Sequence, residues 1–332
     1  MKTRSWICGW AFLLAAGGQV FAAAASVTAA NRPTVIVVVG ASGEDEFEPN
    51  FATQAAQWEK VCQLANCQRI TIGVGTSPSG TDYDRLKEAF AAEAKESAAE
   101  LWVVLVGHGT FDGKEAKFNL RGPDVAAAEL AAWLKPFQRP LAVIDTASAS
   151  APFLAKLSAP NRVIVTSTRS GNEHNFARFG QFFVEAMIDP KSDLDQDGQT
   201  SLLETFLTAA TRVAEFYKTE GRLATEHALI DDNGDGLGTP SDWFRGTRAV
   251  KKAGSGTALD GARARQFHLI LSDAEQKLSP DQRAHRDELE LAIENLRDRK
   301  TRLGDEEYYR RLEILMLELA KVYTPPTVPP GT

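Results

Sequence analysis

The sequence predicts an α/β fold, a three-layer, doubly wound, mostly parallel sheet, and three observations carry that expectation. Thr34–Gly40 (TVIVVVG), Leu101–Val106 (LWVVLV) and Leu141–Asp145 (LAVID) are continuous apolar runs. Runs without polar alternation suit strands covered on both faces. Segments of helical spacing separate them, and strand–helix alternation over about 150 residues is the signature of parallel crossovers. In order, the strands are Thr34–Gly40, Arg69–Val74, Leu101–Val106, Leu141–Asp145 and Arg162–Thr166. The intervening and following helices are Phe51–Leu64, Asp82–Ala94, Val125–Leu134, Phe176–Ile188 and Ser201–Tyr217. Together they give an α/β domain over residues 32–250. A small, polar stretch at 251–262 reads as a linker. Residues 263–323 read as a charged helical hairpin or short coiled coil. Ser279-Pro280-Asp281-Gln282 supplies a cap and a capping box, a stripe runs through Leu289, Ile293, Leu296, Leu312, Leu315, Leu319 and Val322, and Gly304-Asp305 marks the break. Residues 324–332 form a Pro-rich tail.

Composition narrows the function classes. The 332 residues carry 37 Lys+Arg against 44 Asp+Glu, a net charge of −7, which argues against a nucleic-acid backbone as partner. Residues 1–25 place Lys2 and Arg4 ahead of an apolar run that ends in small residues, the layout of a cleaved signal peptide. The expected location is therefore periplasmic or extracellular, with no membrane span after cleavage. In an oxidising compartment Cys62 and Cys67 are a candidate local disulfide. A metal site there is not expected, because nothing completes four ligands.

Sites on open α/β sheets form at the carboxyl ends of strands. The strand Leu101–Val106 runs into Gly107-His108-Gly109-Thr110, and the strand Leu141–Asp145 runs into Thr146-Ala147-Ser148-Ala149-Ser150. A histidine beside a hydroxyl, with a backbone N–H nearby for an oxyanion, is the minimal apparatus of nucleophilic catalysis. No third member is evident, although Asp112 and Asp145 lie close in sequence. A strand ending in His-Gly, followed one crossover later by a strand ending in Ala-Cys-x-Ser-Gly, resembles the caspase and legumain (haemoglobinase) peptidases. The resemblance covers roughly Thr34–Asp189. It implies that His108 takes the general-base position, Gly109 the oxyanion-donor position and Ser148 the place of the family's cysteine. A cysteine is partly thiolate near neutrality, whereas a serine hydroxyl needs a well-oriented base. The resemblance with this departure implies a catalytically silent relative whose pocket binds a peptide or protein. The alternative is a serine-type endopeptidase using Ser148 and His108. The loop Thr166–Asn175 follows the fifth strand, and Arg169 and Glu173 are its candidate substrate-binding residues. The remaining histidines, His174, His227, His268 and His285, read as isolated.

Two Asp/Gly-rich loops predict structural Ca2+, one or two ions. In 193–204 the ligand positions are Asp193, Asp195, Asp197, Gln199, Ser201 and Glu204, with Gly198 at the turn and helices expected on both sides, as in an EF-hand. In 231–242 they are Asp231, Asn233, Asp235, Leu237 and Asp242, where the last carboxylate is shorter and Pro240 argues against a following helix. The C-terminal helices are expected to dock a protein partner or to self-associate.

Overall fold

The computed structural model describes residues 32–76, 80–255 and 257–324. The signal peptide read at 1–25 and nearly all of the Pro-rich tail lie outside the described residues. The elements in chain order are β1 (Thr34–Val39), α1 (Glu48–Leu64), β2 (Gln68–Ile72), α2 (Asp82–Ala92) and β3 (Leu101–Val106). Next come β4 (Gly109–Phe111), β5 (Ala116–Phe118), β6 (Val125–Ala126), α3 (Ala127–Leu134), β7 (Leu141–Asp145), α4 (Ala151–Leu157) and β8 (Arg162–Thr166). The chain continues through α5 (Phe179–Ala186), α6 (Leu202–Thr219), β9 (Leu229–Asp231), β10 (Thr239–Pro240), β11 (Phe244–Arg245) and β12 (Arg248–Ala249), and ends in α7 (Pro280–Asp298) and α8 (Asp305–Val322).

The central sheet has the order β10-β9-β8-β7-β3-β1-β2. The five strands from β2 to β8 pair in parallel, and β9 and β10 extend the sheet antiparallel. Every residue of β1, β3, β7 and β8 is buried, which explains their unbroken apolar character. Alternate residues feed two cores. Val35, Val37, Trp102, Val104 and Ile144 face the core that holds α1, α5 and α6. Ile36, Val38, Val103, Leu105 and Val143 face the core that holds α2, α3 and α4. The expected three layers are therefore present, and the chain is mixed α/β with a mostly parallel sheet.

Two parts of the organisation differ from the sequence reading. The described residues of the stretch 251–262 have no regular structure but form no free spacer. Asp260 is buried and its Oδ1 accepts the amides of Asp232 and Asn233 at 3.0 and 3.3 Å. Ala264, Phe267 and Leu269, placed within the helical extension by the sequence pattern, are buried in the same core as α1, α5 and α6. Small polar residues look mobile when the amides that will satisfy them are distant in sequence. The helical pair begins only at α7, where Ser279 and Gln282 form the anticipated capping box. Gln282 at the start of α7 approaches the Val322 carbonyl at the end of α8, and Leu278, Leu289 and Val322 bury against Leu315 and Leu319. Among the described residues no helix is long and apolar enough to cross a membrane.

Candidate functional site

The ends of β1 and β3 are level, with Val39 paired to Val106, so Gly40 and Gly107 meet beside the start of the His108 turn. Side chains fit poorly at both: a Cβ on Gly40 would collide with the Asn119 carbonyl oxygen, and one on Gly107 would sit tightly, 3.2 Å from the Gly40 Cα and 3.1 Å from the Phe118 ring. Gly109 is equally constrained, because a Cβ there would collide with the Ser148 carbonyl oxygen. The two strand ends singled out in the sequence are therefore in direct contact. This contact lies where the chain leaves neighbouring strands β3 and β7 at their carboxyl ends.

At this contact the two side chains have separate partners. Ser148 is 1% exposed. Its Oγ accepts the Gly109 N–H at 3.2 Å and lies 3.3 Å from the Gly109 carbonyl, to which it donates. His108 turns elsewhere: its Nε2 lies 3.1 Å from the Ser42 carbonyl, a contact that requires the proton on Nε2. The ring packs edge-on between Phe47 at 4.8 Å and Phe51 at 5.2 Å, with Phe176 at 6.2 Å. Burial in this aromatic box lowers the His108 pKa and favours the neutral ring. Among the described residues no hydrogen bond joins His108 to Ser148. The amide that the family resemblance assigns to an oxyanion is held by the serine side chain itself.

Among the described residues neither neighbouring aspartate is hydrogen-bonded to His108. Asp112 sits on the β4–β5 turn, its Oδ1 accepting the amides of Lys114 and Glu115. Asp145 is wholly buried at the end of β7 on the face opposite α1; one oxygen accepts the Ala147 amide at 3.1 Å and the other has no partner among the described residues. The turn after Ser148 is strained, since Ala149 has a φ of 52° and its amide is tied to the Glu173 carbonyl at 2.8 Å. Behind it, the Ser150 hydroxyl meets those of Ser167 and Thr168 at 3.2 and 3.1 Å.

The loop after β8 thus stands beside Ser148. Glu173 is its hub, with Oε1 3.5 Å from Arg169 Nε and 2.7 Å from His227 Nδ1. The sequence reading treated His227 as isolated. It precedes β9, which returns antiparallel beside β8, and only that pairing brings it to Glu173. No local signal marks it, because its partner lies 54 residues away.

The first acidic loop draws Asp193, Asp195 and Asp197 together, with carboxylate oxygens within 4.8 Å of one another. Burial, and then the charges of Glu204, Asp197 and Asp193, push the Asp195 pKa up to about 6. Asp193 accepts the amides of Asp197 and Gly198, and Gly198 has the positive φ (89°) that the turn demands. This all-oxygen donor set fits a hard divalent cation. The Gln199 side chain is pinned by the Ser272 amide, and its carbonyl is the peptide ligand expected from the sequence. Ser201 and Glu204 are engaged as the capping box of α6, and Glu204 Oε1 also accepts the amides of Leu194 and Asp195. Glu204 would have to exchange those amides to bind a cation with both oxygens. A helix follows the loop, but only a 3-10 turn (Pro190–Ser192) directly precedes it, because Pro190 holds Asp189 extended after α5 has ended.

The second loop is held by internal bonds of the same kind. Asp231 accepts the amides of Gly234 and Gly236, Asn233 that of Asp235, and Asp235 that of Leu237. Among the described residues Asp231, Asp235 and Asp242 do not form a metal-holding group; Asp242 instead lines a cavity with His227 and Trp243. Cys62 and Cys67 are free thiols, not the expected disulfide. Both are buried, at the end of α1 and just before β2, and a side-chain hydrogen bond with Cys67, followed by burial, raises the Cys62 pKa.

If the first loop binds calcium, adding the ion to EDTA-treated protein will raise its melting temperature. At a hundredfold excess over Kd the gain is about 2.7 kcal/mol. Asp195→Asn, which breaks no hydrogen bond among the described residues, should remove most of the shift. A melting curve indifferent to calcium in the wild type defeats the reading.

No family model matches the chain, and no curated protein matches it. Partial likenesses exist among solved structures. The Drosophila initiator caspase Dronc gives a TM-score of 0.42 at 13% identity, covering 62% of this chain and 81% of that one. Caspase-1 from Spodoptera frugiperda gives 0.39 at 10% identity, with coverages of 61% and 87%. Protein GSU0716 from Geobacter sulfurreducens gives 0.34 at 12% identity, with coverages of 55% and 89%. At these scores none of them carries an argument about this chain.

Proposed function

We propose that this chain is an exported, caspase/legumain-like protein that is catalytically silent, binds a peptide or protein beside Ser148, and is stabilised by Ca2+ in the loop 193–204. One observation carries the silence: Ser148 Oγ is hydrogen-bonded to both sides of Gly109 while His108 Nε2 is engaged by Ser42. A nucleophile needs its proton on the base, and an oxyanion needs the free amide. Here the proton, the base and the amide each have another partner. The strand order and the His108 and Ser148 turns support the fold assignment. Exposed Tyr309, Ile314, Met316 and Leu317 on α8 suit a partner protein or a second copy.

A serine endopeptidase is the second reading, favoured by the strained Ala149 directly after Ser148, since strain of this kind gathers at functional turns. A peptide-library cleavage assay on wild type, His108→Ala and Ser148→Cys separates the two. Silence in the wild type is expected. Wild-type turnover that His108→Ala abolishes would establish the enzyme instead, and cleavage only by Ser148→Cys would mark a peptidase site that has lost its nucleophile.

A further inference from the structure

Beyond the Ser148 turn, the structure holds a cavity of ≈ 430 Å³ that the chemistry above does not use. That volume falls in the range of about 300–1,000 Å³ typical of ligand sites. Its floor is apolar, formed by Phe179 from α5 and Val213 and Ala214 from α6, and Trp243 stands in its wall. Arg169 and His227 border it from the carboxyl edge of the sheet.

The polar groups decide what could enter. Arg169 is an anion's natural partner, but its guanidinium already faces Glu173. Glu226, also in the lining, could attract a cation. Its two oxygens, however, accept the amides of Arg178 and Phe179 at 2.9 Å each, and Tyr217 donates to it at 3.1 Å. His227 is different: Nδ1 is held by Glu173 at 2.7 Å, and Nε2 has no partner among the described residues. In the neutral ring, with Nδ1–H donating to the carboxylate, Nε2 is an acceptor. A cavity with an apolar floor, an aromatic wall and two open acceptors, His227 Nε2 and the Asp242 carboxylate, suits an apolar group attached to an N–H donor.

We infer that this cavity binds an aromatic or large aliphatic residue of a peptide, with a backbone N–H donated to His227 Nε2. The inference rests on the peptide-binding reading and names its specificity. Continuity supports it: Glu173, which holds His227, also holds the Ala149 amide beside Ser148, and Ser167 of the lining donates its hydroxyl to the Ala147 carbonyl.

Calorimetric titration of the full chain tests it, with N-acetyl-L-phenylalaninamide as probe and the alanine and aspartic acid analogues for comparison. Burial of a phenyl ring predicts binding about 10- to 100-fold tighter for the phenylalanine probe than for alanine. Ala214→Trp, which fills the cavity from an exposed helical position, should weaken the probe at least about tenfold. Trp243→Ala should weaken it as well and serves if the first variant does not fold. Equal affinity for the three analogues, no binding of the phenylalanine probe, or binding unchanged in both variants would overturn the inference. Peptides captured from a library without apolar preference would also overturn it, yet would leave the peptide-binding reading intact. Probe binding without capture of any longer peptide would overturn the peptide-binding reading and leave only a cavity for an apolar amide.

Discussion

Asp145→Asn is expected to make the protein more stable than wild type above pH 7 and to match it near pH 4. Asp145 is fully buried, has one oxygen without a partner among the described residues, and burial pushes its pKa up to about 7 despite the Ala147 amide. Below its unfolded pKa of about 3.9 the group is protonated in both states and exerts no pH effect. Between about 4 and 7 the folded state keeps a proton that the unfolded state has released, so stability falls as pH rises. Above 7 both states are ionised and the whole penalty persists. Three units at about 1.36 kcal/mol each give a penalty on the order of 4 kcal/mol. Asp260 and Glu100, each pushed by burial to about 8, titrate in the same window, so the difference between wild type and variant isolates Asp145. Urea unfolding at stepped pH provides it. Parallel curves for the two proteins would mean that Asp145 has a partner near its free oxygen.

The same aspartate shows where sequence reasoning stops. Its strand was legible because LAVID is apolar without alternation, and its site was legible because strand ends in open sheets carry function. Which face the carboxylate takes depends on the pleat: Asp145 follows Val143 toward α3 and α4, away from the side of α1. The His108–Ser148 proximity was likewise readable, since β3 and β7 are separated by one crossover. Its chemistry was not, because the partners that capture the two side chains, Gly109 and Ser42, are backbone groups without a residue-type signature. His227 and the packed segment around Asp260 were hidden for a related reason. Each depends on a pairing between distant residues, and spacing rules register only near neighbours. The first acidic loop was legible because its ligand pattern is local, but Pro190 removed the preceding helix that an EF-hand requires.

Arg286→Ala is expected to cost about 3–5 kcal/mol, the usual penalty for stranding a buried charge. Arg286 and Glu275 are 5% and 3% exposed and paired, and Asp287 accepts from Arg286 Nε and Nη2 at 2.8 and 2.6 Å. Tyr323, just past α8, donates to Glu275 at 2.8 Å. Burial works against the Arg286 charge, but Asp287 and Glu275 outweigh it and raise the pKa. Removing the guanidinium leaves Glu275 buried without its counter-charge where the segment before α7, α7 itself and the end of α8 meet. Two further pairs, Arg265–Glu294 at 2.9 Å and Arg248–Asp298 at 3.1 Å, hold α7 to the α/β body. The loss should therefore appear in the main unfolding transition, not as a separate early melting of the two helices. Arg286→Met combined with Glu275→Leu should recover part of it, since the more buried carboxylate is removed with the guanidinium while Asp287, about a third exposed, can turn to water. A single substitution that costs less than about 1 kcal/mol would place this pair among ordinary surface bridges. An early transition confined to α7 and α8 would show instead that these helices fold as a unit of their own.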